Sequence, residues 1–149
     1  MPSVMERFTD FRVLLVEDDP QSMNLIRSML NDLGIYQIHT ANNGLKAKKF
    51  LEDAETKDHA NVMLCDWNMP LVSGIDLLRH IRHDNLDMPF LMITGQADEE
   101  SVREARSAGV TGYIRKPFTT DDLRKKLRIV QSILALRSTS ADTEIASTG

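Results

Sequence analysis

Short apolar runs alternate with longer stretches in which apolar residues recur every three or four positions, and the alternation repeats five times along the chain. Arg12 to Val16 (RVLLV) is the first run, short and rich in branched side chains, as a buried strand requires. A helix is predicted from near Pro20, a favourable first-turn residue, with Met23, Leu25, Ile26, Met29, Leu30 and Leu33 on one stripe and Gly34 as its stop. Tyr36 to Ala41 reads as the second strand. The second helix starts after Asn42-Asn43-Gly44, carries Leu45, Ala47, Phe50 and Leu51, and leaves through a polar stretch to His59. Val62 to Cys65 is the third strand, and the loop after it leads through Ser73-Gly74 into a third helix bearing Ile75, Leu77, Leu78 and Ile81. Pro89 introduces the fourth strand, Phe90 to Thr94. The fourth helix, Asp98 to Ala108, is so poor in large apolar residues that light packing and mobility are expected. Gly112 to Arg115 is the fifth strand, and the last helix starts at a Thr119 or Thr120 cap with Asp121 and Asp122 at its positive end. Leu123, Leu127, Val130 and Leu134 then form its apolar stripe. Strands and helices in strict alternation predict an α/β fold, a doubly wound parallel sheet of five strands with helices on both faces.

Composition narrows the picture. A chain of 149 residues with 42% hydrophobic content can bury one core without staples and has no room for a second domain. The domain proper is expected over residues 11–137, after an N-terminal head of residues 1–10. Residues 138–149 (STSADTEIASTG) are polar, small and aperiodic, and are expected to form a disordered tail. The single cysteine, Cys65, lies inside the third strand, so disulfides are excluded and a small buried core residue is expected. No secretory signal stands at the N-terminus and no apolar run approaches the roughly 20 residues that span a bilayer, which together point to a cytoplasmic protein with no membrane partner. A net charge of -4 gives no general attraction to nucleic acid, and Arg124, Lys125, Lys126 and Arg128 read as the solvated face of the last helix.

The chemistry gathers at strand ends. Asp66 follows the third strand, and Glu17-Asp18-Asp19 follows the first in the same manner, so three or four carboxylates are expected in one crevice. Their repulsion would raise and couple their pKa values unless a hard divalent ion such as Mg2+ held them as oxygen ligands. A carboxylate so placed can attack phosphorus to give an aspartyl phosphate, provided cations and hydroxyl donors meet the developing charge. Thr94 closes the fourth strand, followed by Gly95, which leaves room for a phosphoryl group. Lys116 closes the fifth, followed by the turn-setting Pro117.

The stretches LLVEDDP, CDWNMPLVSG, MITG and YIRKPF, in this order, resemble the receiver domain of two-component response regulators, and more closely its stand-alone chemotaxis type. The resemblance covers about Phe11 to Arg137. It implies a sheet of order 2-1-3-4-5, Asp66 as phosphoacceptor, and Mg2+ held by Glu17, Asp18, Asp66 and the backbone carbonyl of Asn68. It further implies that Thr94 and Lys116 bind the phosphoryl oxygens, that Tyr113 is an aromatic switch, and that Asn68 and Gln96 tune the lifetime of the acyl phosphate. The Lys116–Pro117 bond is expected to be cis. The partners implied are a histidine kinase or histidine phosphotransfer protein as donor and a downstream protein effector, reached by noncovalent binding because no effector domain follows the last helix. On this reading the chain is not an enzyme acting on an external metabolite. Asp19 is expected to cap the first helix, Trp67 to line the loop beside the site, and His39, His59, His80 and His83 to carry no chemistry, since none stands at metal-ligand spacing from other donors.

Three rivals define the alternatives. An aspartate-nucleophile phosphatase needs a second carboxylate two residues after the nucleophile, where this chain has Asn68. A flavodoxin-like cofactor binder needs a phosphate-cradling loop after the first strand, where Glu17-Asp18-Asp19 would repel a phosphate. A receiver-shaped interaction module that is never phosphorylated would be expected to lack site residues, and all of them are present here.

Overall fold

The computed structural model describes residues 8, 10–84, 86–95 and 98–148, with side chains up to residue 137. Its elements run β1 (Arg12–Val16), α1 (Pro20–Asp32), β2 (Gln37–Ala41), α2 (Gly44–Glu52), β3 (Val62–Asp66), α3 (Gly74–His83), β4 (Phe90–Thr94), α4 (Glu99–Ser107), β5 (Gly112–Arg115) and α5 (Thr120–Thr148). The five strands are all parallel and lie in the order β2-β1-β3-β4-β5. The expected doubly wound α/β architecture is therefore the observed one. Burial explains the order: β3 and β4 are buried at every position, as strands covered on both faces must be, whereas the edge strand β2 is mostly exposed.

Successive side chains of a strand point to opposite faces, so each central strand feeds two cores. Val13, Leu15, Val62, Leu64, Leu91 and Ile93 pack with α1 and α5 on one side. Leu14, Val16, Met63, Cys65, Phe90 and Met92 pack with α2 and α3 on the other. Cys65 is buried and in no disulfide, its Sγ donates to the Asp66 carbonyl at 3.3 Å, and burial raises its thiol pKa well above the usual range. On the second face α4 contributes only Ala105 to the buried set, the light packing its sequence predicts.

Helix starts follow their local chemistry. Asp19 caps α1, its carboxylate accepting the Ser22 amide at 3.0 Å. Thr119 and Asp122 exchange side-chain-to-amide bonds of 3.1 and 2.9 Å, a capping box that starts α5. α5 is assigned as far as Thr148, across residues for which composition predicts a disordered tail. No proline or glycine interrupts residues 120–148, so nothing in the sequence stops a helix already under way. The head of residues 1–10 falls largely outside the described residues, although Phe8 is buried and stacks on Phe11 at 5.3 Å between ring centroids. Among the described residues no helix is long and apolar enough to cross a membrane.

Candidate functional site

Register brings the acidic residues together. Val16 of β1 pairs with Cys65 of β3, so the next residues along, Glu17 and Asp66, leave the sheet side by side. Carboxylate oxygens of Glu17, Asp18 and Asp66 lie within 4.8 Å of one another. Asp66 in turn pairs with Ile93, which places Thr94 one step beyond it, and Thr94 pairs with Arg115, one residue before Lys116. The Lys116 amide donates to the Thr94 carbonyl at 2.8 Å and locks those two strand ends together. Four strand ends thus meet at one edge of the sheet.

Lys116 Nζ lies 3.8 Å from Glu17 Oε1 and 3.8 Å from Asp66 Oδ2. One ammonium therefore stands against two carboxylates of a cluster of three, and the balance is negative. Glu17 is only 1% exposed, and its Oε2 has no hydrogen-bond partner. Burial first, and then the neighbouring charge of Asp66, push the Glu17 pKa from 4.5 up to about 7, while Lys116 pulls it the other way. A buried, unsatisfied carboxylate oxygen beside two further carboxylates is a donor set of oxygen only, which suits a hard divalent cation of the Mg2+ class. Asp66 and Thr94 are buried as well.

The loop after Asp66 is held tightly. Trp67 donates its amide to the Ile93 carbonyl at 2.8 Å and accepts the Gly74 amide at 2.8 Å, with its ring half-buried against the second core. Leu71 adopts φ 71° in a three-residue turn closed by the Val72 amide on the Pro70 carbonyl at 2.8 Å, a strained conformation for a branched side chain. The Asn68 amide approaches Asp66 Oδ1 at 3.4 Å, a long contact. Lys116–Pro117 is cis.

Asp19 stands apart from the cluster, engaged as the cap of α1. Tyr113 is half-buried on β5, with Lys126 Nζ 5.5 Å from its ring centroid. It borders two depressions, one of about 330 Å³ shared with Val102 and Arg106 of α4 and one of about 670 Å³ shared with Lys116, Lys126 and Ile129. Gln96 falls outside the described residues.

The chain matches the family model described as "Response regulator receiver domain" over residues 13–128. It belongs to the response regulator receiver family. Among curated receivers, it is 40% identical over 120 residues to chemotaxis protein CheY-3 of Vibrio cholerae serotype O1, covering 79% of this chain and 89% of that one. Among solved receiver structures, chemotaxis protein CheY4 of Vibrio cholerae superposes with a TM-score of 0.69 at 30% identity, covering 78% of this chain and 94% of that one. The receiver domain of a Pseudomonas aeruginosa PAO1 sensor histidine kinase, with a magnesium ion coordinated in its active site cleft, gives a TM-score of 0.67 at 26% identity, covering 79% of this chain and 94% of that one.

One cluster in this receiver was not foreseen from sequence spacing. His80, assigned no chemistry from spacing, has its Nε2 3.0 Å from Glu52 Oε1 and 3.3 Å from Asp84 Oδ2. Half of that signal stands in the sequence, since His80 and Asp84 are four apart on one helix face. Glu52 joins them only because α2 and α3 are neighbours in the fold.

Proposed function

We propose that this receiver is a phosphorylation-driven switch in a His-to-Asp phosphorelay, with Asp66 as the phosphoacceptor. The observation that carries the reading is Lys116 set against the buried carboxylates of Glu17 and Asp66 in a partly buried acidic cluster, an arrangement with little structural value of its own. Mg2+ held by Glu17, Asp18, Asp66 and the Asn68 carbonyl would neutralise charge on the phosphoryl oxygens. The Asp66 carboxylate attacks phosphorus as the bond to the imidazole nitrogen of a donor phosphohistidine breaks, and the imidazole leaves with that electron pair. The Lys116 ammonium, already positioned against the nucleophile, meets charge spreading over the equatorial oxygens, and the Thr94 hydroxyl donates to one of them.

Phosphorylation replaces one negative charge with about two and adds acceptor oxygens. Lys116 and Thr94 are drawn toward the new group, and space behind Thr94 opens to the Tyr113 ring. Tyr113 borders depressions toward both α4 and α5, so a change in its rotamer alters the surface formed by α4, β5 and α5. That surface is the one offered to a downstream protein effector. Asn68 and Gln96 supply neutral amides that set how fast water removes the phosphoryl group, and self-catalysed dephosphorylation is the only turnover. The donor is a histidine kinase or a histidine phosphotransfer protein in the cytoplasm.

Incubation with acetyl phosphate and Mg2+ tests the assignment. The wild-type chain is expected to gain a hydroxylamine-sensitive phosphoryl mass and Asp66→Asn to gain none. An adduct of equal yield in the variant would overturn it.

A further inference from the structure

Every helix that follows a strand in a parallel sheet returns to the opposite edge, so the ends of α2 and α3 lie away from the acidic cluster. The length of α3, ten residues, sets that separation at about 15 Å. At this far edge Glu52, the last residue of α2, meets His80 of α3 and Asp84, the C-cap of α3. All three offer a ligand atom within 4.8 Å of the other two.

The spacing decides what the cluster can hold. A tetrahedral Zn2+ with ligands at about 2.0–2.2 Å puts neighbouring donor atoms about 3.3–3.5 Å apart. His80 Nε2 stands 3.0 Å from one carboxylate and 3.3 Å from the other, near that separation, and the two carboxylate oxygens lie within 4.8 Å of each other. As a plain ion pair the same atoms would share one N–H between two carboxylates, a bifurcated contact. His80 Nε2 carries at most one proton, and a single N–H cannot lie along the line to two carboxylates at once. The cation, by contrast, accepts all three donors together.

Ligand chemistry selects the ion. An imidazole nitrogen with two carboxylates suits a borderline transition metal such as Zn2+ over the Mg2+ preferred by the all-oxygen set at the other edge. His83 Nδ1, 3.5 Å from the second oxygen of Asp84, stands beside the group as an exposed ring able to complete or replace a water ligand. Cys65 does not compete, because its sulfur is buried in the second core. We propose that Glu52, His80 and Asp84 form a second metal site, one that binds a transition-metal dication and clasps the ends of α2 and α3.

The test uses the full chain in saturating Mg2+, which occupies the acidic cluster, and measures Zn2+ by competition with a chromophoric chelator and by thermal unfolding. One saturable Zn2+ per chain is expected, with a rise in the unfolding midpoint. His80→Ala should weaken it about tenfold or more and abolish the rise, because losing a ligand costs at least as much as losing a ligand's own partner. Glu52→Gln removes a charge on an exposed side chain, so it keeps the test valid if His80→Ala folds poorly, and it should weaken Zn2+ as well. His39 and His59 stack at 5.6 Å between centroids and are the other two histidines beside His80 and His83, so His59→Ala serves as a control. That control should bind as the wild type does. Unchanged affinity in His80→Ala and Glu52→Gln, equal loss in the control, or no saturable Zn2+ in the wild type would each overturn the proposal.

Discussion

Gly74 begins α3 so close to the end of β3 that a Cβ placed on it would overlap the backbone carbonyl oxygen of Asp66. The same Cβ would stand 2.8 Å from Met92 Sδ and 2.9 Å from Trp67 Cα, and two of these three neighbours are backbone atoms that cannot swing aside. The proposed nucleophile and the first turn of the next helix are thus one rigid joint, closed by the Gly74 amide on the Trp67 carbonyl.

Gly74→Ala should therefore destabilise the fold, although alanine is the better helix former by about 1 kcal/mol. The expected loss is about 1–3 kcal/mol by chemical denaturation, with weaker Mg2+ binding because Asp66 is displaced. Gly95→Ala is the control, since a Cβ there meets nothing within 4 Å. Equal stability of the two variants would show that the joint yields.

Glu17 makes apo stability fall as pH rises. Its pKa is raised from 4.5 to about 7, so between those values the native state keeps a proton that the unfolded state has released. Unfolding then becomes easier across that window, and the full penalty is present above it. Asp19, Asp98, Asp121 and Asp122 are lowered from 3.8 and act in the opposite sense at lower pH, so the two windows do not overlap. Glu17→Gln should flatten the decline in unfolding midpoint between about pH 4.5 and 7. Mg2+ should offset it in the wild type, because the ion binds the deprotonated form. A slope unchanged in Glu17→Gln would assign the titration to another group.

Arg82 ties together the edge of the sheet remote from the acidic cluster. Its Nε donates to Gly109 O at 2.9 Å, and its Nη1 donates to Leu86 O and Met88 O at 2.7 and 2.8 Å. Gly109 sits at φ +92°, a conformation that suits glycine, and a Cβ there would stand 3.2 Å from Arg82 Nε. Arg82→Ala leaves three carbonyls without this donor and should lower stability by about 2–3 kcal/mol. Arg82→Lys should recover little, because an ammonium lacks the planar fork that reaches separate carbonyls. Denaturant midpoints of the two variants check both statements.

Much of this was legible before folding. The strand limits Arg12–Val16 and Phe90–Thr94 follow from uninterrupted apolar runs, and the doubly wound order accompanies the motifs. Glu17, Asp66, Thr94 and Lys116 were legible as strand-end residues because a parallel sheet sends every strand end to the same edge. What stayed hidden depends on the distance between helices. Glu52 and His80 are separated by 28 positions and meet only through helix packing, and no spacing rule within one element relates Arg82 to Gly109. Polar composition alone also says little about residues 138–148, which continue a helix begun upstream.

Trp67 is the only tryptophan, and its position between Asp66 and the Gly74 joint makes it a reporter of metal entry. Mg2+ added to the apo protein should change its emission saturably, and the response should weaken as pH falls below about 7, where Glu17 takes up a proton. Asp18 and Asp19 are adjacent in sequence yet differ in role, which supplies the sharper contrast. Asp18 belongs to the carboxylate cluster, whereas Asp19 holds the Ser22 amide at 3.0 Å and the Ser22 hydroxyl at 2.9 Å. Asp18→Ala should abolish most of the Mg2+ response with little change in unfolding midpoint. Asp19→Ala should keep the response and instead lower stability by about 1 kcal/mol, the usual worth of a helix cap. Equal loss of the Mg2+ response in both variants would mean that Asp19 shares the ion, and its hydrogen bonds to Ser22 would then have to break when the metal binds.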